Sequence, residues 1–229
     1  MDQLQFPIVI TNFKAYESAT GAAALELAKL HEEVGKEYGV QFAVCPQTVD
    51  IWMIASQVNI PVLAHHFDAV THGGFTGHMV PEALKMAGAD GSLLNHAEKP
   101  VPFSTIADSI NRAREIGFFT VVCAKNLKEA TEIAALKPDA VAVEPPELIG
   151  GDISVSTASP DIIKDAVAQI PHVPVLVGAG VKTGDDIRIA LKMGAKGVLL
   201  ASGITRAKDP RAVLVEFAKA LKEYSGRRL

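Results

Sequence analysis

The chain has 229 residues, of which 22 are lysine or arginine and 26 are aspartate or glutamate, giving a formal net charge of −4. Its 48% hydrophobic and 21% charged residues exclude a disordered chain, and the spread of charge along the chain argues against nucleic acid as a partner. Two cysteines give no disulfide framework. Met1–Phe6 lacks the pattern of a signal peptide, and no run approaches the roughly 18 apolar residues that a membrane span needs. We therefore expect a cytoplasmic protein without membrane contact.

Short apolar runs recur along the chain, and each is followed by a segment with helix signals. The runs do not alternate between apolar and polar residues, as is typical of strands buried on both faces in a parallel sheet. Eight such runs favour a (β/α)8 barrel, the TIM-barrel architecture, over a flavodoxin-like doubly wound sheet, which normally has about five strands. We therefore predict a single barrel domain over residues 1–229. The predicted strands are Pro7–Asn12, Gln41–Cys45, Val62–His66, Gly91–Asn95, Phe119–Cys123, Ala140–Val143, Val173–Val177 and Gly197–Leu200.

Helix signals between these runs support the same alternation. The segment Thr20–Tyr38 has helical periodicity and is followed by Gly39, a residue type favoured just after a helix. Its predicted shared face consists of Ala23, Leu27, Leu30 and Val34. Later helices are predicted to begin at Asn126, at Ser159-Pro160, at Thr183 and at Asp209-Pro210.

The interior of such a barrel is packed with side chains, so chemistry takes place where the strands end. Lys14 follows the first predicted strand, where a lysine either extends to the surface or presents a cation at the barrel mouth. His96 follows the fourth strand, where a histidine is either structural or exchanges protons near neutral pH. Both residues are candidates for a site at this end of the barrel.

Glu144 closes the sixth predicted strand. Burial at a strand end raises the pKa of a carboxylate toward that of a useful base, whereas the alternative is an ordinary turn with a surface glutamate. The loop Pro145–Gly151 has two prolines at its entry and two glycines at its exit. A stiff entry and a loose exit suit a lid that moves as one piece.

Small residues follow the seventh and eighth predicted strands. Gly178-Ala179-Gly180 and Ala201-Ser202-Gly203 allow backbone N–H groups to approach a ligand without interference from a Cβ atom. Phosphate sites of (β/α)8 barrels lie at these two positions. The two segments together therefore predict a phosphate site.

Four histidines lie close together after the third predicted strand. Their spacing matches no metal-ligand motif, and no cysteine or carboxylate pattern completes it. We therefore expect no metal site at His65, His66, His72 and His78.

Taken together, these junctions resemble the triosephosphate isomerase family over essentially the whole chain. The glutamate-proline motif at Glu144-Pro145 is the most specific of them. The short chain, the paired prolines and Gly178-Ala179-Gly180 resemble the archaeal form of that enzyme. The matching segments, in family order, are Asn12-Phe13-Lys14, Asn95-His96-Ala97-Glu98, Ala142 to Gly150 and Ala201-Ser202-Gly203.

The resemblance implies interconversion of dihydroxyacetone phosphate and D-glyceraldehyde 3-phosphate through an enediolate, in glycolysis and gluconeogenesis, without metal or cofactor. It implies that Glu144 is the base and that a neutral His96 polarises the substrate oxygens. It also implies that Lys14, with Asn12 beside it, brings positive charge to the phosphate and to the developing oxyanion. The further substrate-binding residues that it implies are Ile149, which covers the site, and Gly150, Gly180, Ala201 and Ser202, whose N–H groups bind the phosphate.

The chain departs from the family pattern at three places beside the site. Ala97 stands where the family usually has a serine that holds the base in its resting position. Gly151 stands where a threonine is common, which predicts a looser exit hinge for the lid. Lys99-Pro100 replaces a more basic pair. None of these changes removes a reacting group.

The segment Gly73–His78 resembles the family's long loop after strand three, which docks into a partner subunit. His78 differs from the glutamate of the common dimeric form and resembles archaeal relatives, which are often tetrameric. The resemblance thus predicts self-association as a homotetramer.

Two other functions remain as alternatives. Another phosphate-binding barrel enzyme would share the phosphate end, but such enzymes take large aromatic substrates, and the chain has only three tyrosines and one tryptophan. A catalytically silent barrel that acts as a binding or scaffold protein would be favoured if Glu144, His96 or Lys14 were replaced. All three residues are present.

Overall fold

The computed structural model describes residues 4–145 and 160–225. Within these residues, eight parallel strands form one sheet. They are β1 (Ile8–Asn12), β2 (Phe42–Cys45), β3 (Leu63–Ala64), β4 (Gly91–Leu94), β5 (Phe119–Ala124), β6 (Ala140–Val143), β7 (Val175–Gly178) and β8 (Gly197–Leu200).

The sheet closes into a barrel. Hydrogen-bonded neighbours follow the order β2-β1-β8-β7-β6-β5-β4-β3. A parallel bridge between Val44 and Val62, where the Val44 N–H donates to the Pro61 carbonyl at 3.0 Å, joins the two ends of that order. The predicted (β/α)8 TIM barrel is therefore confirmed.

Helices follow the strands and cover the outside of the barrel. No helix in the described part of the chain is both long and apolar enough to cross a bilayer. The described helices are α1 (Ala22–Tyr38), α2 (Ile51–Ala55), α3 (Pro81–Met86), α4 (Phe103–Ile116), α5 (Leu127–Ala134), α6 (Pro160–Gln169), α7 (Gly184–Lys192), α8 (Ser202–Thr205) and α9 (Pro210–Ser225), with 3-10 turns at Glu17–Ala19 and Thr48–Asp50.

Alternating strand residues divide the apolar side chains into two clusters. One set packs outward between strands and helices, with Val9, Val141 and Val177 among its members. The other set fills the barrel, with Ile10 and Leu176 among its members. Because successive strand residues point to opposite faces, this division determines which residues at the strand ends face the barrel mouth.

The predicted strands agree with the observed ones to within two residues at each end, and the largest difference in length is at β3. The prediction Val62–His66 is too long, because β3 contains only Leu63 and Ala64. Just after β3, the side chain of His65 contacts β2, with Nε2 2.8 Å from the Cys45 carbonyl oxygen.

Helix α1 buries Leu27 and Val34 as predicted, but not the whole predicted face. Ala23 is exposed and Leu30 is only partly buried. His31 is buried instead, because Nε2 lies 2.8 Å from Thr11 Oγ1 and Nδ1 lies 2.7 Å from the Leu27 carbonyl oxygen. A polar residue fully satisfied in the core does not register as apolar periodicity. The observed buried residues are Ala24, Leu27, Ala28, His31, Val34 and Gly35.

Three of the predicted helix starts are present. The Asn126 side chain accepts from the Glu129 N–H at 2.9 Å, and Thr183 forms a reciprocal capping box with Asp186. Asp209 Oδ1 accepts from the Ala212 N–H at 3.0 Å. The fourth predicted start, at Ser159-Pro160, is also present, since α6 begins at Pro160. Its predicted cap residue, Ser159, lies outside the described residues.

Candidate active site

The carboxyl ends of the strands bring the predicted site residues to one end of the barrel. Residues two positions after inward-facing strand residues also face inward. Asn12 follows Ile10 in this way, and Glu144 follows Ala142. By the same alternation, Gly178 and Ala201 follow Leu176 and Leu199.

Glu144 lies buried just after β6, with 5% of its surface exposed. Its N–H donates to the Ala124 carbonyl at 2.8 Å, which extends the β5–β6 pairing and fixes the backbone. Burial raises the pKa of Glu144 above its ordinary value, while His96, a hydrogen bond from the Cys123 thiol and the charge of Lys14 oppose that rise. Oε2 is buried without a hydrogen-bond partner among the described residues. The carboxylate is therefore more basic than an exposed one.

His96 is buried beside Glu144. Its Nδ1 accepts a hydrogen bond from the Glu98 N–H at 3.1 Å, so the proton of a neutral ring lies on Nε2. Nε2 is 3.8 Å from Glu144 Oε2, which is longer than a hydrogen bond. The Nε2–H therefore remains available to a ligand between the two side chains.

Asn95 holds the turn that carries His96. Its backbone adopts the left-handed conformation (φ 56°), which asparagine tolerates better than most residues. Nδ2 donates to the Cys123 carbonyl at 2.9 Å, and Oδ1 accepts from the Val101 N–H at 3.1 Å. These bonds attach the turn to the next strand.

Lys14 and Asn12 form a tight turn after β1. Lys14 has a positive φ of 49°, and its N–H donates to Asn12 Oδ1 at 2.9 Å. Lys14 Nζ donates to Glu98 Oε1 at 2.7 Å. The lysine side chain is 14% exposed, so it lies over the barrel mouth rather than extending into solvent.

The segments after β7 and β8 form the opposite wall. Ala179 and Gly180 both have positive φ values, 74° and 70°. Consecutive left-handed residues are unusual, and for alanine the conformation is strained by about 1–2 kcal/mol. After β8, the short helix α8 begins at Ser202, so backbone N–H groups without helical partners occur at its first turn.

A single cavity with an empty volume of about 450 Å³ brings these residues together. Two predicted substrate contacts, Ile149 and Gly150, lie outside the described residues, as does most of the predicted lid. Tyr16 and Lys182 also border the cavity. The predicted site residues that line it are Asn12, Lys14, His96, Glu144, Gly180, Ala201 and Ser202.

Comparison with known proteins agrees with this geometry. A family model described as triosephosphate isomerase matches residues 7–221. The chain is 48% identical over 219 residues to the triosephosphate isomerase of Methanobacterium bryantii, covering 94% of this chain and 97% of that protein. The chain belongs to the triosephosphate isomerase family.

Other relatives give the same result. The chain is 50% identical over 214 residues to the triosephosphate isomerase of Methanothermobacter thermautotrophicus, which covers 92% of this chain and 93% of that protein. It is 43% identical over 216 residues to that of Methanocaldococcus jannaschii, covering 93% of this chain and 99% of that protein. The predicted enzyme family and its archaeal form are both confirmed.

The third-strand histidines do not come together as a ligand set. His65 Nε2 is 2.8 Å from the Cys45 carbonyl oxygen, and His66 Nε2 is 3.3 Å from Asp68 Oδ1. Burial lowers the pKa of both rings. In the part of the chain that the structure describes, no group of three or more His, Cys, Asp or Glu side chains is placed to hold a metal ion.

Sequence reasoning missed two residues that shape the site. Glu98 was seen only as part of a motif, yet its side chain pairs with Lys14 and its N–H fixes the His96 ring. The sequence predicts Gly178 as part of a phosphate site, whereas in the structure Gly178 lies directly against Glu144. Both residues lie beside a strand end, which marks them as near the site in the sequence. Their contacts with Lys14 and Glu144 could not be predicted, because each joins residues that are distant in sequence.

Proposed function

We propose that this chain interconverts dihydroxyacetone phosphate and D-glyceraldehyde 3-phosphate through an enediolate intermediate. The observation that carries the proposal is the placement of Glu144 and His96, whose Oε2 and Nε2 atoms lie 3.8 Å apart in the cavity that Lys14 also lines. A base and a donor at this distance can act on neighbouring atoms of one small substrate.

Glu144 is proposed as the base. A proton on carbon next to a carbonyl is only weakly acidic, so its removal needs a base of raised pKa close to that carbon. Burial provides the raised pKa, and Oε2, which has no hydrogen-bond partner in the described part of the chain, provides a lone pair for the proton. Glu144 removes the proton from one carbon and returns it to the next.

His96 and Lys14 are proposed to stabilise the enediolate. The Nε2–H of a neutral His96 donates to the substrate oxygens on which negative charge develops. Lys14 supplies a positive charge at the same cavity, and Asn12 supports the turn that presents it. Removal of one preorganised donor of this kind typically lowers the rate by about 10²–10³-fold.

The phosphate is proposed to bind at the wall after β7 and β8. Gly180, Ala201 and Ser202 line that wall, and their backbone N–H groups are the proposed donors. Closure of the Pro145–Gly151 lid, with Ile149 over the site and the Gly150 N–H on the phosphate, is proposed from the family resemblance. A lid that excludes water would protect the intermediate from loss of phosphate.

The proposed chemistry uses only groups of the protein itself, without a metal or another cofactor. It is tested by steady-state isomerisation of D-glyceraldehyde 3-phosphate by the chain after dialysis against a chelator. We expect full activity with and without chelation. Absence of activity in both samples would contradict the proposal. It would favour the alternatives, which are another phosphate-binding barrel enzyme or a catalytically silent scaffold. Activity only in the undialysed sample would contradict the metal-free reaction.

We further propose that residues 1–229 form one cytoplasmic domain that assembles as a homotetramer. The loop that resembles the family's docking loop carries partly exposed apolar side chains, with Phe75 41% and Met79 39% exposed. Asp68 ties the base of the loop, since it accepts from the Met79 N–H at 2.7 Å and donates its own N–H to the Met79 carbonyl at 2.9 Å. A fixed loop with apolar side chains suits a protein contact.

A further inference from the structure

Gly178 lies beside Glu144 at the mouth of the barrel. Strands β6 and β7 are paired with Val143 opposite Val177, so the next residue of each strand reaches the same level. Both next residues, Glu144 and Gly178, follow inward-facing positions and are therefore directed toward the barrel interior.

A side chain at position 178 would overlap Glu144. A Cβ atom built on Gly178 would lie 2.5 Å from Glu144 Oε1 and 2.7 Å from Glu144 Cδ, and it would be closer still to Cγ. Carbon atoms in favourable contact lie about 3.5–4.0 Å apart. Glu144 is buried rather than a flexible surface residue, so one of the two groups would have to move.

The backbone gives no reason for glycine at this position. Gly178 is the last residue of β7, and its φ lies outside the left-handed region that L-residues avoid. Gly180, two residues later, does have a positive φ of 70°. The absence of a side chain at Gly178 is therefore explained by the carboxyl group that occupies its place.

Few hydrogen bonds hold the Glu144 carboxyl group where it lies. Oε2 has no partner among the described residues. Ala97, which borders a second cavity beside Glu144, has no side-chain donor to offer. The contacts that remain are the close packing against Gly178 and a hydrogen bond from the Cys123 thiol.

We propose that Gly178 is a positioning residue for the base. The space left by its missing side chain holds the Glu144 carboxyl group near His96, and a side chain there moves that group away. The second cavity, lined by Ala97 and Cys123 among others, also borders Glu144, and Gly178 is not among its lining residues. The displaced carboxyl group can enter it without unfolding the barrel. This inference rests on the proposed role of Glu144.

The kinetic test compares Gly178→Ala with the wild type. We expect kcat for isomerisation to fall by about 10²-fold, as a misplacement near 1 Å can cause. We expect KM to change little, because the proposed phosphate donors at Gly180, Ala201 and Ser202 are untouched. An unchanged kcat, or a loss confined to KM, would overturn the proposal.

Gly184→Ala is a matched control. Gly184 also has an ordinary φ and also faces a glutamate, since a Cβ atom there would lie 2.9 Å from Glu216 Cγ. Glu216 does not line the catalytic cavity. We expect this variant to keep the wild-type kcat, so that a loss in Gly178→Ala is specific to Glu144. An equal loss in both variants would contradict the specific role.

A thermal-unfolding cycle tests the contact without using activity. The four proteins are the wild type, Gly178→Ala, Glu144→Ala and the double variant. We expect Gly178→Ala to lower Tm in the wild-type background and not in the Glu144→Ala background, because the overlapping carboxyl group is then gone. An equal lowering in both backgrounds would overturn the proposal, as would a failure to fold in both.

The two arms also separate this inference from the proposed function. A wild type without isomerase activity contradicts the proposed function, while the unfolding cycle still reports whether positions 144 and 178 compete for space. An active wild type whose kcat survives Gly178→Ala contradicts the inference alone.

Discussion

Glu144 is a charged residue placed where charge is unfavourable. The residue is 5% exposed, and burial is the largest influence on the raised pKa of its carboxyl group. A carboxyl group whose pKa is higher in the folded than in the unfolded chain stabilises the fold only while it is protonated. That contribution is complete below the unfolded pKa and is lost as pH rises through the folded pKa. At neutral pH the ionised group therefore lowers the stability of the fold, and its proposed role as the base requires that ionised form.

We predict that Glu144→Gln raises the stability of the protein at neutral pH. The neutral amide removes the buried charge, so we expect a gain of about 1 kcal/mol, the lower end of the cost of an unsatisfied buried group. The gain should vanish as pH falls below the ordinary glutamate value of 4.5, where the wild-type carboxyl group is protonated. Thermal unfolding of both proteins across this pH range measures the difference. A wild type that is the more stable protein at neutral pH would contradict the account.

Replacement of Lys14 should have a large effect on catalysis and a small effect on stability. Its ion pair with Glu98 joins a 14% exposed lysine to a 58% exposed glutamate, and such pairs contribute about 0–1 kcal/mol. We predict that Lys14→Ala lowers kcat/KM by about 10²-fold and hardly changes Tm.

Lys29→Ala is the control for that prediction, because Lys29 pairs with Glu26 at 3.2 Å on the exposed face of α1. Both variants should unfold like the wild type, and only Lys14→Ala should lose activity. Equal activity in the two variants would remove Lys14 from the proposed mechanism.

At the scale of single elements, helix starts were predictable because their signals are local. The Thr183 capping box needs only residues within one turn: Thr183 Oγ1 accepts from the Asp186 N–H at 3.3 Å, and Asp186 Oδ2 accepts from the Thr183 N–H at 2.9 Å. The α1 face was predicted less well because the burial of His31 depends on Thr11, in another element. Local pattern determines where an element begins, whereas packing determines which face it buries.

We predict that Thr183→Ala lowers the free energy of unfolding by about 1 kcal/mol, the usual cost of losing a helix cap. Helix α7 lies outside the barrel, and its cap side chain is exposed. We therefore expect kcat to stay at the wild-type value. Urea denaturation and a parallel assay measure the two quantities.

Asn126→Ala, which removes the cap of α5, is the comparison for Thr183→Ala. It should cost a similar amount if capping is the cause. A loss of several kcal/mol for Thr183→Ala alone would show that this residue does more than cap α7.

At the scale of the whole molecule, closure of the barrel assembles the site. Lys14, His96 and Glu144 are far apart in sequence, and they meet because every parallel strand ends at the same rim. The rule that chemistry lies at this rim makes Lys14, His96 and Glu144 candidates from the sequence alone, and the structure places all three at one cavity. Contacts across the rim were not identifiable, because the Lys14–Glu98 pair and the fit of Gly178 against Glu144 depend on strand register and rotamers.

The proposed homotetramer is the other property of the whole molecule. We predict that the wild type sediments as a tetramer at micromolar concentration in analytical ultracentrifugation. Phe75→Ser should shift the distribution toward smaller species, since it removes a 41% exposed apolar ring from the docking loop. A wild type that sediments as a monomer would contradict the proposed assembly.

The most direct test of the central claim is the kcat of Glu144→Asp beside that of the wild type. The substitution keeps the charge but retracts the carboxyl group by one methylene, and a displacement near 1 Å can lower the rate by about 10²-fold. Glu115→Asp, on the exposed surface of α4, makes the same chemical change away from the cavity. We predict a fall of about 10²-fold for Glu144→Asp and none for Glu115→Asp. A Glu144→Asp variant with the wild-type kcat would show that another group moves the proton.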